Sequence, residues 1–375
     1  MPRTPAPARW LVLAHHASPY FAELFSAAAE MGAGRIMFVS RPRGPDSAFA
    51  HEGEPRISDR VERIHLGEPG ALGRILAWRP DVVVALGHAS VVNVLLACWL
   101  RARHRPQMLY FGDTNGVQML EDAAASLGAA AKLALKRLVL GRVYDCSLDL
   151  GWTSRVAHRS LGIRGGRPLP LLAVDFSVLD GGEGAWPAGD GLARPCLACV
   201  ARLVPEKNLV ALVEAWKAHV SSGSPGSLML VGEGPMRAAI EGATAGIPED
   251  RIRLVGSVPR ALMGKVMRRA EALVLPSVRD AWGIVIVEAL GCGLPVLAST
   301  RAGAALSLAP HVGRALLVTE PGPNALRSGL TELVDSLEER AQAARAISAW
   351  VRERYGIGPV ARALAGLAPP ARAER

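Results

Sequence analysis

The chain has 375 residues, half of them hydrophobic, with 39 Gly and 27 Pro that follow no period. That length suits two domains, and that composition excludes a disordered or fibrous chain. Only 5% of residues are aromatic, which argues against a base-stacking nucleic-acid platform, and the net charge is +9.

The first eight residues are Pro-rich and read as a frayed end. The apolar run Trp10–Ala14 is too short for a signal-peptide core. The longest apolar stretch, Ala89–Leu100, is interrupted by Asn93 and falls short of the ~20 residues a spanning helix needs. These features place the protein in the cytoplasm, attached at most to the inner face of a membrane. Apolar β-like runs follow at Trp10–Leu13, Arg35–Val39, Val61–Leu66, Asp81–Leu86, Gln107–Phe111, Asp145–Leu148 and Leu169–Leu172. Helical patterns at Ser18–Met31, Ala89–Arg103 and Ala123–Val143 separate several of them. Unbroken V-V-V or L-V-L runs are buried on both faces, and their alternation with helices predicts a parallel, doubly wound sheet.

A glycine-rich run then breaks the pattern, and residues 181–193 read as a linker. The alternation restarts with strands at Leu197–Ala201, Leu228–Val231, Ile252–Val255, Ala272–Leu275, Pro295–Ala298 and Ala315–Val318. A helical tract from Asn324 to Tyr355 and a short helix near Val360–Leu367 end the chain. The expected architecture is α/β: a first domain over 1–180, a second over 194–355, and a tail over 356–375 that returns to the first. Ligands of such sheets bind at the carboxyl ends of the strands.

Residues 101–167 carry 11 basic against 5 acidic side chains. Such a surplus suits an anionic lipid or substrate, and equally a solvated face. Within it, Ala129–Val143 sets Lys132, Lys136, Arg137 and Arg142 among Leu and Val. That pattern fits either a peripheral contact with an anionic membrane or a helix whose apolar face packs on the sheet. Cys196 and Cys199 have C-x-x-C spacing, but three residues apart on a strand they face opposite ways, so they read as inert core thiols.

Three segments carry chemistry. In Ala201-Arg-Leu-Val-Pro-Glu-Lys-Asn208, a strand passes into a helix opening at Pro205 and Glu206. Arg202 and Lys207 then stand at a strand end beside a helix N-terminus, which suits a diphosphate. Two solvated surface cations are the plainer reading. In Leu230-Val-Gly-Glu-Gly-Pro235, Gly232 and Gly234 allow a tight turn. A dinucleotide fingerprint would need Gly or Ala at 237, where Arg stands, so the turn reads as structural. In the run from Pro276 to Val296, a loop bears Asp280 and a helix begins near Gly283. Glu288 lies inside that helix, where an apolar setting makes a carboxylate costly unless it is paired.

Taken in order, these segments resemble the donor-site signature of glycosyltransferase family 4, the glycosyl transferases group 1. That pattern has an acidic residue, seven residues, a Glu, then a small residue, Gly and a Pro-Val strand. Asp280, Gly283, Glu288, Gly293, Pro295 and Val296 fall on it. Asp280 stands where the family mostly has Glu, Trp282 takes the usual aromatic position, and Ala201 stands where Gly is common. The resemblance implies a GT-B fold, two Rossmann-like domains facing across a cleft, and a retaining transferase using a UDP- or GDP-sugar. It implies that Glu288 holds the ribose, that Asp280 holds a hydroxyl of the transferred sugar, and that Arg202 and Lys207 bind the diphosphate. Gly232, Gly234, Trp282, Gly283, Ile284 and Val285 complete the donor side. No metal and no further cofactor is implied.

Asp113 and His88, after strands of the first domain, are the acceptor-side candidates, and His15 and His16 stand comparably. The expected partners are a nucleotide sugar and a sugar or lipid-linked acceptor, with no nucleic acid. A nucleotide-sugar epimerase, a phosphorylase and a non-catalytic nucleotide-sugar binder are the alternatives on this fold.

Overall fold

The computed structural model describes residues 7–42, 55, 57–87, 90–181 and 191–367. The expected frayed start over residues 1–6, most of the glycine-rich run and His88 lie outside them. The chain divides into two compact units: Met1–Ala173 with Arg354–Arg375, and Val174–Glu353.

The first unit is built on β1 (Arg9–His16), β2 (Arg35–Arg41), β3 (Val61–His65), β4 (Val82–Leu86), β5 (Gln107–Phe111) and β6 (Cys146–Leu148), in the order β3-β2-β1-β4-β5-β6. Every pairing is parallel. All five residues of β4 are buried, as an unbroken Val run covered on both faces requires. One face, with Leu11, Leu13, Val83 and Ala85, packs against Leu96, Leu100, Leu140 and Val143 from the helices Val91–His104 and Leu127–Val143. Ser18 and Ser90 cap the helices Pro19–Glu30 and Val91–His104 by accepting from Phe21 and Asn93 amides. The last helix, Ile357–Ala365, belongs to this unit and packs on Pro19–Glu30.

The second unit repeats the plan. Its strands are β7 (Cys196–Val200), β8 (Ser227–Val231), β9 (Ile252–Gly256), β10 (Ala272–Leu275), β11 (Val296–Ser299) and β12 (Leu316–Thr319), in the order β12-β11-β10-β7-β8-β9. These pairings are parallel as well. The chain winds outward through β8 and β9, then returns to the other side of β7 to lay down β10, β11 and β12. The order therefore reverses between β7 and β10, which makes their carboxyl ends the topological switch point.

Four expectations change. Leu169–Leu172 is not a strand. Pro168 and Pro170 remove two amide donors, the Leu169 amide turns back to the Arg167 carbonyl (2.9 Å), and only an isolated bridge, Leu148 to Arg167, joins the sheet. The tract Ala123–Val143 is two helices, Gly116–Ala125 and Leu127–Val143, because Ser126 is extended and caps the second through the Ala129 amide. The tract Asn324–Tyr355 is also two, Pro323–Asp335 and Leu337–Tyr355. At the break, Ser336 Oγ bonds back to the Glu332 carbonyl at 2.6 Å, a contact that bends or ends helices.

The fourth change is the unit boundary, which falls at Ala173/Val174 rather than near 180, so the helix Phe176–Asp180 joins the second unit. Arg352 holds it there. Its guanidinium lies 4.8 Å from the Phe176 ring centroid, donates to both Asp180 carboxylate oxygens at 2.7 Å, and caps the Gly291 carbonyl at 2.7 Å.

Candidate functional site

The loops after β7 and β10 meet at the switch point of the second sheet. After β7 the expected helix start is displaced. Pro205–Lys207 forms a separate 3-10 turn, and the helix Leu209–Ser221 begins only after Asn208 takes a left-handed conformation, φ 58°. Asn208 Nδ2 donates to the Pro276 carbonyl (3.2 Å) and the Pro321 carbonyl (2.8 Å), tying its loop to those after β10 and β12. The Val278 amide returns a bond to the Glu206 carbonyl at 2.9 Å.

This stitching brings Lys207 against Asp280. Lys207 Nζ donates to Asp280 Oδ2 at 2.5 Å, and Ser277 Oγ donates to the same oxygen at 3.2 Å. The Asp280 backbone bridges to the loop after β11, its amide bonding the Arg301 carbonyl at 3.2 Å. The carboxylate is therefore fixed by side chain and backbone together. Arg202 is exposed on the first of these loops.

Gly232 and Gly234 brace that loop from beneath. At φ 143°, a Cβ on Gly232 would collide with the Ala201 carbonyl oxygen, and one on Gly234 would come within 2.5 Å of the Leu203 carbonyl oxygen. Close approach lets the Ala201 amide reach the Val231 carbonyl (3.0 Å) and the Leu203 amide the Glu233 carbonyl (2.8 Å). Beneath them Cys196 and Cys199 are buried in β7, and burial pushes the Cys199 thiol up to about 12 despite the pull of Lys207. A thiol held that high is not an active nucleophile at neutral pH.

Gly283, φ 84°, is the N-cap of the helix Ile284–Gly291. A side chain there would be strained, and its Cβ would stand 3.0 Å from Leu275. The first turn of this helix, with Ile284 and Val285, directs its amides out of the carboxyl end of the sheet. Glu288 lies one turn further in and is buried, on a helix otherwise apolar throughout. Trp282 is only 2% exposed, so its ring supports the loop from inside, while its carbonyl accepts from the Ala304 amide at 2.7 Å. Among the described residues no group of three His, Cys, Asp or Glu side chains is placed to hold a metal ion.

The first unit offers less at its strand ends. Asp113 is exposed on the loop after β5, just before Asn115 caps the helix Gly116–Ala125. His15 and His16 end β1 with ring centroids 4.2 Å apart, and burial, His16 and Arg41 together pull His15 below its ordinary value. A denser cluster lies where the sequence had drawn no attention. The buried Asp149 carboxylate accepts from Ser147 Oγ (2.9 Å) and Arg155 Nε (2.9 Å) and stands 2.7 Å from His158 Nδ1. His158 Nε2 is 3.1 Å from the Gly112 carbonyl oxygen. Both ring nitrogens thus face oxygen atoms of the protein. Burial pushes the Asp149 carboxyl up, but the His158 bond and charge, then Ser147 and Arg155, outweigh it and hold it below its ordinary value. Only the offset of nine residues, reaching from a strand end into the helix Trp152–Ser160, would have signalled this pair.

With the site assembled, comparisons become informative. Residues 190–350 match the family profile described as glycosyl transferases group 1. The second unit belongs to that family. The 2-deoxystreptamine N-acetyl-D-glucosaminyltransferase of Streptomyces fradiae is 34% identical over 186 residues, covering 48% of this chain and 42% of that protein. A GDP-mannose-dependent monoacylated alpha-(1-6)-phosphatidylinositol monomannoside mannosyltransferase of Corynebacterium glutamicum is 27% identical over 154 residues, covering 39% of this chain and 40% of that protein. The chain thus spans about two fifths of the length of these curated relatives. In fold, sucrose-phosphate synthase from Thermosynechococcus elongatus aligns over 96% of this chain and 98% of its own, with TM-score 0.72 and 18% identity. Two parallel six-stranded sheets, each flanked by helices, make this a GT-B fold, and the group 1 unit carries Arg202, Lys207, Asp280 and Glu288.

Proposed function

We propose that the chain is a retaining glycosyltransferase that takes a hexose from a UDP- or GDP-sugar bound at the carboxyl edge of the second sheet. The observation that carries this reading is the Lys207–Asp280 pair at the switch point, locked by Asn208 and Ser277. An ammonium has three donor protons. The bond to Asp280 uses one and leaves two for phosphate oxygens. Arg202 adds a second cation, and the amides of Ile284 and Val285 add donors at a helix N-terminus. As the sugar leaves, negative charge grows on the β-phosphate. Fixed cations and amides stabilise that charge more in the transition state than before it, without a divalent metal.

Glu288 takes the ribose hydroxyls and Asp280 a hydroxyl of the transferred sugar. Asp is one methylene shorter than the Glu usual in the family, which leaves room for a different hydroxyl pattern. The acceptor is a glycan, glycolipid or secondary metabolite. The names of the relatives, one acting on an aminocyclitol and one on a phosphatidylinositol mannoside, support that range. Thermal-shift screening against UDP, GDP and ADP, followed by hydrolysis of the corresponding sugars in excess chelator, tests the reading. Stabilisation by one nucleotide and chelator-resistant release of sugar are expected, and NMR of the product should show retained anomeric configuration. A chain that binds none of the three nucleotides, or that regains activity only with magnesium or manganese, overturns it.

A further inference from the structure

The helix Leu127–Val143 is apolar on two opposite sides. Leu140 and Val143 face the first sheet's core. At 100° per residue, Leu127, Ala131, Ala134 and Leu138 stand in line on the opposite side, at spacings of four, three and four. That side is exposed: Leu127 by 93% and Leu138 by 55%, with Leu135 beside them at 63%. The helix Val91–His104 packs alongside on the same face of the sheet and leaves Val91 and Leu95 exposed by 71% and 64%. Neither helix contains an acidic residue. Exposed leucines and valines on two neighbouring helices, opposite the stripe that faces the core, mark an interaction surface.

Charge identifies the cover. Beside Leu138 opens a cavity of about 910 Å³ whose lining includes Arg137, Arg142, Arg159 and Arg164 with Ile163, and no acidic side chain. Two glycines let its walls approach: a Cβ on Gly141 would stand 2.7 Å from the Gly162 carbonyl oxygen. The cavity is formed where the helix Leu127–Val143 ends before β6 and where Trp152–Ser160 ends. It therefore lies toward the amino ends of the strands, away from the carboxyl ends that bear Asp113. Guanidinium forks match phosphate oxygens. A second copy of this chain docking through a two-fold contact would set the same arginines against each other, which disfavours self-association.

We propose that this face docks on an anionic phospholipid bilayer, with a headgroup phosphate seated among Arg137, Arg142, Arg159 and Arg164 and with Leu127, Leu135 and Leu138 entering the acyl boundary. Apolar residues beside a cationic cluster are the composition of an interfacial surface. The inference is independent of the donor chemistry.

Sedimentation of the full chain with phosphatidylcholine vesicles, with and without phosphatidylglycerol, tests it. Binding is expected only with phosphatidylglycerol and should weaken as salt rises. Arg159→Gln with Arg164→Gln should lower partition roughly 25-fold, from about fivefold per cation. Leu135→Asp with Leu138→Asp should abolish binding, and both pairs are exposed, so the melting temperature should hold. Equal binding to neutral vesicles, or no binding, overturns the proposal. So does calorimetric binding of inorganic phosphate to a chain that ignores vesicles, or a dimer that Leu135→Asp dissociates.

Discussion

The two sheets share one winding order but put a buried acid to opposite uses. In the second, Asp280 and Lys207 meet at the switch point, where the side chains keep 9% and 17% of their surface and open on the loop that bears Arg202. In the first, Asp149 and His158 are sealed at 0% and 1%. The Asp149 oxygens are taken up by Ser147, Arg155 and His158, and the second His158 nitrogen by a carbonyl. One pair retains donor capacity for a ligand, whereas the other spends its capacity on the fold. An ion pair on a doubly wound sheet is thus informative only together with its remaining valence and its access.

That contrast can be broken experimentally. The largest effect expected is structural. Asp149→Ala strands the buried His158 imidazole, takes a partner from the half-exposed Arg155 and should cost about 3–5 kcal/mol in urea unfolding, while nucleotide affinity of the surviving folded protein stays the same. A loss of nucleotide binding without destabilisation would reverse the roles assigned to the two pairs. Lys207→Ala should do the opposite: transfer falls by about 100-fold or more, some 3–4 kcal/mol of transition-state stabilisation, with an unchanged unfolding midpoint. Wild-type turnover in the folded variant would remove the diphosphate assignment.

Asp280→Asn separates charge from contact. The carboxylate both holds Lys207 and opposes an incoming diphosphate, so its neutralisation should slow transfer at least about tenfold without weakening the bare nucleoside diphosphate. Glu288→Gln should weaken that nucleotide. Calorimetry on both variants decides, and equal losses would show that the two acids do not divide the donor. A smaller effect belongs to Asn208→Gly, which keeps the left-handed backbone but deletes two hydrogen bonds, for about 1–2 kcal/mol. The sharpest test of the sealed pair is its pH dependence. With Asp149 held below its ordinary value, its contribution to stability is complete above about pH 4 and disappears as pH falls through the depressed value. The wild-type unfolding midpoint should drop there, and that of Asp149→Asn should drop less.

The sequence made the second site legible because its parts are local. Arg202 to Lys207, Gly232 to Gly234 and Asp280 to Glu288 each occupy one strand-to-helix passage, and the alternation of elements places such passages on one edge. What it hid was the joinery. That Asn208 is left-handed and reaches two other loops, and that Lys207 faces Asp280, depends on contacts between positions 68 to 113 apart in the chain. The helix breaks at Ser126 and Ser336 were missed for a related reason: hydrophobic period continues across them, and only the serine side chains bond the backbone differently. Leu169–Leu172 read as a strand on hydrophobicity alone, although the alternating prolines already denied it a ladder.

The division of the chain has a consequence for biosynthesis. The helix Ile357–Ala365 completes the first unit against Pro19–Glu30, yet the whole of Val174–Glu353 is translated between them. Order of synthesis and order of completion therefore differ. At about 5–20 residues per second, the nascent first unit waits roughly 10–40 s for its closing helix. During that interval the apolar contacts of Val360, Ala361 and Leu364, all buried in the finished protein, have not formed. A ribosome stalled before residue 354 would display an α/β sheet lacking one helix of its cover, a species for chaperones to recognise, while a ribosome that runs on past residue 365 supplies the helix that covers it.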